Sequence, residues 1–161
     1  MKTLLLAGAA LMIAPIAQAG EINISFSEDF TETLNEDYGV REGEVLIEEL
    51  TEDLTRTFGD ELASMGDINI TIVDAKPNRP TFEQMGDGLS FESISIGGAD
   101  LVGEVVDANG EVIASVEYDY YSHSIEDSIG RTTWSDARRA FDRFTRRLAS
   151  EYEVSSSDSV S

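Results

Sequence analysis

Between residues 132 and 152, apolar side chains fall at Trp134, Ala137, Phe141, Phe144, Leu148 and Tyr152, at successive steps of three, four, three, four and four. That spacing places all six on one stripe of a 3.6-residue helix. Thr133, with Asp136 three residues on, reads as a capping box, and the acid suits the positive end of the helix dipole. The opposite face carries Arg138, Arg139, Asp142, Arg143, Arg146 and Arg147. A stripe holding the only Trp and two of the seven Phe residues must be covered, and a sheet is its expected partner.

The other end of the chain reads as an address. Lys2 precedes an apolar core over residues 4–16, too short to span a bilayer comfortably, and Ala17-Gln18-Ala19 is a small-x-small cleavage site. Residues 1–19 are therefore expected to be a signal peptide, residues 20–152 one domain, and residues 153–161 a disordered Ser-rich tail. With no Cys there is no lipobox, disulfide or thiol chemistry, so the expectation is periplasmic or secreted protein without a membrane anchor after cleavage. The net charge is −21, or −22 once Lys2 is lost, which disfavours nucleic acid and anionic membranes as partners. Six of the ten remaining basic residues lie between Arg131 and Arg147. Either they pair with the acidic surface around them, or Arg138, Arg139, Arg143, Arg146 and Arg147 form a docking face for an acidic partner.

Residues 21–27 alternate Ile22, Ile24 and Phe26 with polar residues, the period of a half-buried strand. Residues 28–43 read as an acidic connection whose carboxylates could gather Ca²⁺, although the spacing is not that of an EF-hand. A helix is expected over residues 44–65, with Leu46, Leu50, Leu54, Phe58 and Leu62 at every fourth position, and a second alternating strand over 67–74. Strand, helix, strand in that order favours parallel pairing. The Pro-rich loop over 75–88 offers Lys76, Asn78 and Arg79 as a candidate anion-binding cluster. Residues 89–96 suggest a strand whose phase slips near Glu92.

The hairpin over residues 99–121 is the most closely specified piece. Asn109-Gly110 as a two-residue type I′ turn pairs Val105 with Ala114, Gly103 with Val116, Leu101 with Tyr118 and Ala99 with Tyr120 on one face. Polar pairs, including Asp100 opposite Asp119, fall on the other, although Val106 with Ile113 also lies there. A one-residue slip would scramble that separation. The Asp pair is either a destabilising like-charge contact or a cation site.

Chemistry is thinly represented. His123 is the sole histidine, and no Gly-x-Ser-x-Gly elbow presents a nucleophile for it to activate. A zinc site would need several His or Cys ligands. Tyr38-Gly39-Val40-Arg41-Glu42, Asp74-Ala75-Lys76-Pro77-Asn78-Arg79-Pro80-Thr81, Gly97-Gly98-Ala99 and Thr133-Trp134-Ser135-Asp136-Ala137 with Phe141 and Phe144 together resemble a family of small envelope proteins of Gram-negative bacteria, a domain of unknown function. The resemblance implies a periplasmic α/β domain and carries over no catalytic residue or cofactor. The expected fold is an α/β two-layer sandwich of α+β type. It has about five strands in a mixed, mostly antiparallel sheet and two amphipathic helices on one face, in the order β-α-β-β-β-β-α. The expected function is a non-enzymatic accessory or binding domain of the cell envelope with an envelope protein partner and no cofactor. A Ca²⁺- or small-ligand-binding protein is the alternative, and a hydrolase relying on His123 the second.

Overall fold

The computed structural model describes residues 20–158, so the expected signal peptide lies outside the described residues. The fold is α+β: one open four-stranded mixed sheet with four α-helices. Strand β1 (Ile22–Phe26) pairs in parallel with β2 (Asp67–Lys76), and β2 pairs antiparallel with β3 (Gly98–Val106), which pairs antiparallel with β4 (Val112–Tyr121). The strand–helix–strand opening thus makes β1 and β2 direct parallel neighbours.

The connection between them is more ordered than its charge suggests. Helix α1 (Glu28–Thr33) begins at Ser27, whose Oγ accepts the Phe30 N–H at 3.1 Å, and Glu28 and Asp29 sit at the positive end of its dipole. A wide turn of π geometry, Leu34–Tyr38, follows, and Gly39 at φ +95° breaks the helix before α2 (Val40–Phe58). The expected acidic loop is therefore helical, because Phe30 and Leu34 are buried on its inner side. Helix α2 starts four residues earlier than expected and stops at Phe58, where Gly59 (φ +51°) ends it and a 3₁₀ turn continues to Ala63.

The core lies between the sheet and the two long helices, α2 and α4 (Ser135–Asp158). Cross-strand rows Ile22–Ile68–Val105–Ala114, Ile24–Ile70–Gly103–Val116 and Phe26–Ile72–Leu101–Tyr118 present the sheet's apolar face. Leu46, Leu50, Leu54 and Phe58 of α2, with Ala137, Phe141, Phe144 and Leu148 of α4, cover it. At Gly103 a ring of α4 lies close against the sheet. A Cβ there would stand 2.5 Å from Phe144 Cζ, so a bare backbone lets the ring rest on the sheet. Past Ile72 the β2 register shifts by one residue, and this bulge turns Ala75 into the core opposite Ala99 while leaving Asp74 opposite Asp100 on the outer face.

Four differences from the sequence expectation concern the edges. Among the described residues there are four strands, because residues 89–96 form no strand. Leu89, Phe91 and Ile96 are exposed there instead of paired. A short helix α3 (Phe82–Gly86) interrupts the Pro-rich loop, set by a Thr81–Gln84 capping box. The hairpin keeps its expected register from Ala99 to Val105, but Asn109 has no positive φ. The turn is a three-residue loop closed by the Asp107 N–H donating to the Glu111 carbonyl at 2.9 Å, with Gly110 alone at φ +84°, so Val106 meets Val112 instead of Ile113. Lastly, α4 runs through Asp158 into the expected tail. Ser156 and Ser157 lie within the helix, each donating its hydroxyl to the carbonyl four residues back at 2.8 Å.

Candidate functional site

Two of the three residues in the candidate anion cluster build structure. Asn78 is 0 % exposed. Its Nδ2 donates to Asp136 Oδ2 at 2.6 Å and Ser128 Oγ at 3.1 Å, while its Oδ1 accepts the Asp136 N–H at 3.0 Å. Asn78 is thus a remote cap for α4, in place of the expected Thr133–Asp136 box. Arg79 donates to the carbonyls of Arg131, Phe91 and Glu92 at 3.2–3.4 Å, which spends its guanidinium on holding two loops together. Lys76 lies on the outer sheet face, its Nζ 5.5 Å from the Tyr121 ring. Lys76 and Arg79 both line a pocket of about 300 Å³, from which the buried Asn78 is absent.

What the pair Asn78 and Arg79 supports is the wall of a groove. Its sides come from the first two turns of α2 (Arg41, Glu42, Val45), from Pro80 and α3, from Phe91, and from the start of α4. The groove measures about 460 Å³, within the range of small-molecule and side-chain pockets. Its inner end is the Trp134 indole, whose Nε1 donates to Glu42 Oε2 at 2.6 Å, with both residues buried. Its lips are apolar and open to solvent, since Phe82 is 75 % and Phe91 64 % exposed. Arg41 and Arg138 stand at the rim, and Arg138 also reaches Glu49 Oε1 at 2.6 Å. Reading by sequence missed Phe82 and Phe91. The signal was the Thr81–Gln84 capping box, which marks a helix whose first residue, Phe82, has no core to enter.

The arginines of α4 do not make one docking face. Arg138 leans to α2, and Arg146 pairs with Asp142 on its own helix. Arg139, Arg143 and Arg147 lie along β4: Arg139 donates to the Tyr120 hydroxyl at 3.1 Å, and the guanidinium carbons of Arg143 and Arg147 lie 4.5 and 4.7 Å from the Tyr120 and Tyr118 ring centres. His123 is exposed, and its side chain makes no hydrogen bond among the described residues. The acids of the expected Ca²⁺ loop are spread along α1 and the π turn. Among the described residues no three His, Cys, Asp or Glu side chains are grouped so as to hold a metal ion.

Asp100 and Asp119 are direct cross-strand partners as expected, and Asp74 extends the row. Burial pushes the Asp100 carboxyl up, with Asp119, Asp74 and Glu117 adding to it. Burial and its hydrogen bond to Asp74 Oδ2 at 2.9 Å likewise raise the Tyr121 hydroxyl. Because the folded value for Asp100 lies above the unfolded one, the native state holds this proton to higher pH. Stability from this group therefore falls as pH rises through the raised value. Asp100→Asn is expected to stabilise the fold at pH 7 by about 0.2–1 kcal/mol, the scale of a relieved like-charge pair. The gain should vanish below the ordinary carboxylate range, which urea unfolding at both pH values would show. An equal effect at both would refute the electrostatic cause.

No protein-family model matches the chain, and no curated protein matches it in sequence. No helix among the described residues is long and apolar enough to cross a membrane.

Proposed function

We propose that this protein is a non-enzymatic binding domain of the bacterial cell envelope, exported to the periplasm, that docks an envelope protein partner in the groove between α2, α3 and α4. The observation carrying this reading is the pair of exposed phenylalanines on the groove's lips. Phe82 and Phe91 lose apolar contact with water only when something covers them, and exposed apolar patches rimmed by polar groups are the usual mark of interaction sites. Arg41 and Arg138 favour a partner segment with an acidic group beside its apolar anchor. The resemblance to envelope proteins and the reading of residues 1–19 as a signal peptide support the location.

The test is site-specific photo-cross-linking in the native host. A photoreactive residue at position 82 is expected to give a discrete adduct that Phe91→Ser removes. The same residue at Val154, which is also exposed but on the far half of α4, should give none. Identical adducts from both positions, or none from position 82, would overturn the proposal.

A further inference from the structure

Among the described residues β4 is an edge strand that pairs only with β3. Ser122 N–H donates to the Gly97 carbonyl at 3.0 Å, which makes residues 97 and 122 a hydrogen-bonded pair of the antiparallel ladder. By the alternation of such a ladder, the backbone N–H and C=O groups of Glu117, Asp119 and Tyr121 face outward. Unpaired rows of this kind are templates for another strand unless they are blocked.

The two flanks of this edge differ in charge. On the helix side, Arg139, Arg143 and Arg147 recur every four residues along α4, with Arg143 and Arg147 stacked on tyrosines of β4 itself. Among the described residues neither Arg143 nor Arg147 pairs with a carboxylate. On the outer side, Glu117 and Asp119 alternate with those tyrosines and are exposed. Side chains of an added strand would alternate between the same two flanks.

We infer that the edge of β4 takes an extended polypeptide segment with acidic residues at every second position, by strand addition. Its acids meet the arginines, and its intervening neutral or basic residues lie beside Glu117 and Asp119. A second copy of this chain does not fit. Antiparallel β4–β4 pairing about a two-fold axis would set arginine stripe against arginine stripe and Glu117 and Asp119 against their own copies, and like charges opposed in this way repel. Nor does an end of this chain fit, since residues 1–19 and 159–161 contain no acidic residue. None of the groove residues takes part, so the inference stands apart from the proposed function.

The test uses the purified protein and labelled synthetic peptides of about ten residues, a typical strand length with margin. One alternates Glu with Thr, one alternates Lys with Thr, and one has the first peptide's composition with its glutamates in a block. The Glu/Thr alternating peptide is expected to bind at least about tenfold more tightly than either of the others at moderate salt. Saturating it should slow hydrogen exchange at the Glu117, Asp119 and Tyr121 amides. Arg143→Glu with Arg147→Glu should weaken binding by about tenfold or more, and because both side chains are exposed the fold should survive, as thermal unfolding will verify. Equal binding by the block peptide, unprotected amides, indifference to the charge reversal, or no binding by any peptide would each overturn the inference. The amide readout needs no substitution, so it decides the matter even if the variant unfolds.

Discussion

Asn78→Asp is expected to cost about 3–5 kcal/mol of stability at neutral pH, the scale of an uncompensated buried charge. The side chain is fully buried, and its Nδ2 is the donor that Asp136 Oδ2 receives at 2.6 Å. Asp136 has little else: its Oδ1 has no hydrogen-bond partner, and the nearest guanidinium nitrogen, on Arg139, is 3.9 Å away. Replacing the amide donor by a second carboxylate sets two acids in contact where neither can be solvated, so one must take up a proton. That uptake raises a folded-state pKa above its unfolded value. The lost stability should therefore return in part as pH falls through the carboxylate range, whereas it should be fully lost above it. Urea unfolding at pH 7 and near pH 4.5 checks both statements. A loss below about 1 kcal/mol would mean that the site relaxes and that Asn78 is no hub. The loss should spread beyond α4, because the Asn78 backbone also donates to the Thr133 carbonyl at 2.6 Å and accepts from the Ser95 N–H at 3.0 Å.

The same residue shows where the sequence stopped being legible. Periodicity reads contacts that repeat, so the stripes of α2 and α4 and the register of the hairpin could be seen in residue order. Leu101 opposite Tyr118 and Val105 opposite Ala114 follow from alternation and one turn. Asn78 and Asp136 are 58 positions apart and make a single non-repeating contact, so an Asn between prolines looked like a loop residue with a free side chain. Residues 28–43 misled for a different reason. Their charge density outweighs in residue order the two features that set the structure: Ser27, an N-cap, and Phe30 and Leu34, four apart and both buried. Residues 89–96 misled because alternating apolar residues imply a strand only where a neighbouring strand and a core exist to receive them. Here Leu89, Phe91 and Ile96 meet solvent, and of the three Phe91 becomes a lip of the groove.

Trp134→Ala should cost about 3–5 kcal/mol, with a cavity opening where the indole is now packed. The ring ends a chain of edge-to-face contacts, Phe26–Phe30, Phe30–Tyr38 and Tyr38–Trp134, at centroid distances of 5.6, 6.4 and 5.8 Å. That chain joins β1, α1, the π turn and the residue before α4, so one deletion loosens elements far apart in sequence. Trp134→Phe separates packing from hydrogen bonding. It keeps most of the apolar contact but removes the N–H that Glu42 Oε2 accepts at 2.6 Å, leaving a buried acceptor unpaired at about 1–3 kcal/mol. Glu42→Leu combined with Trp134→Phe should recover part of that cost, because an apolar pair leaves nothing unsatisfied. Far-UV circular dichroism is the readout, since the substitution removes the only tryptophan. If Phe at position 134 costs as little as a surface change, Glu42 reaches solvent in the native state and the groove floor is wet. If it costs as much as Ala, the hydrogen bond and not the packed ring fixes the angle between α2 and α4. In the Trp134→Ala variant the groove loses its floor while Phe82 and Phe91 stay exposed. Photo-cross-linking from position 82 in the Trp134→Ala protein then distinguishes a partner that needs the shaped groove from one held by its aromatic lips alone.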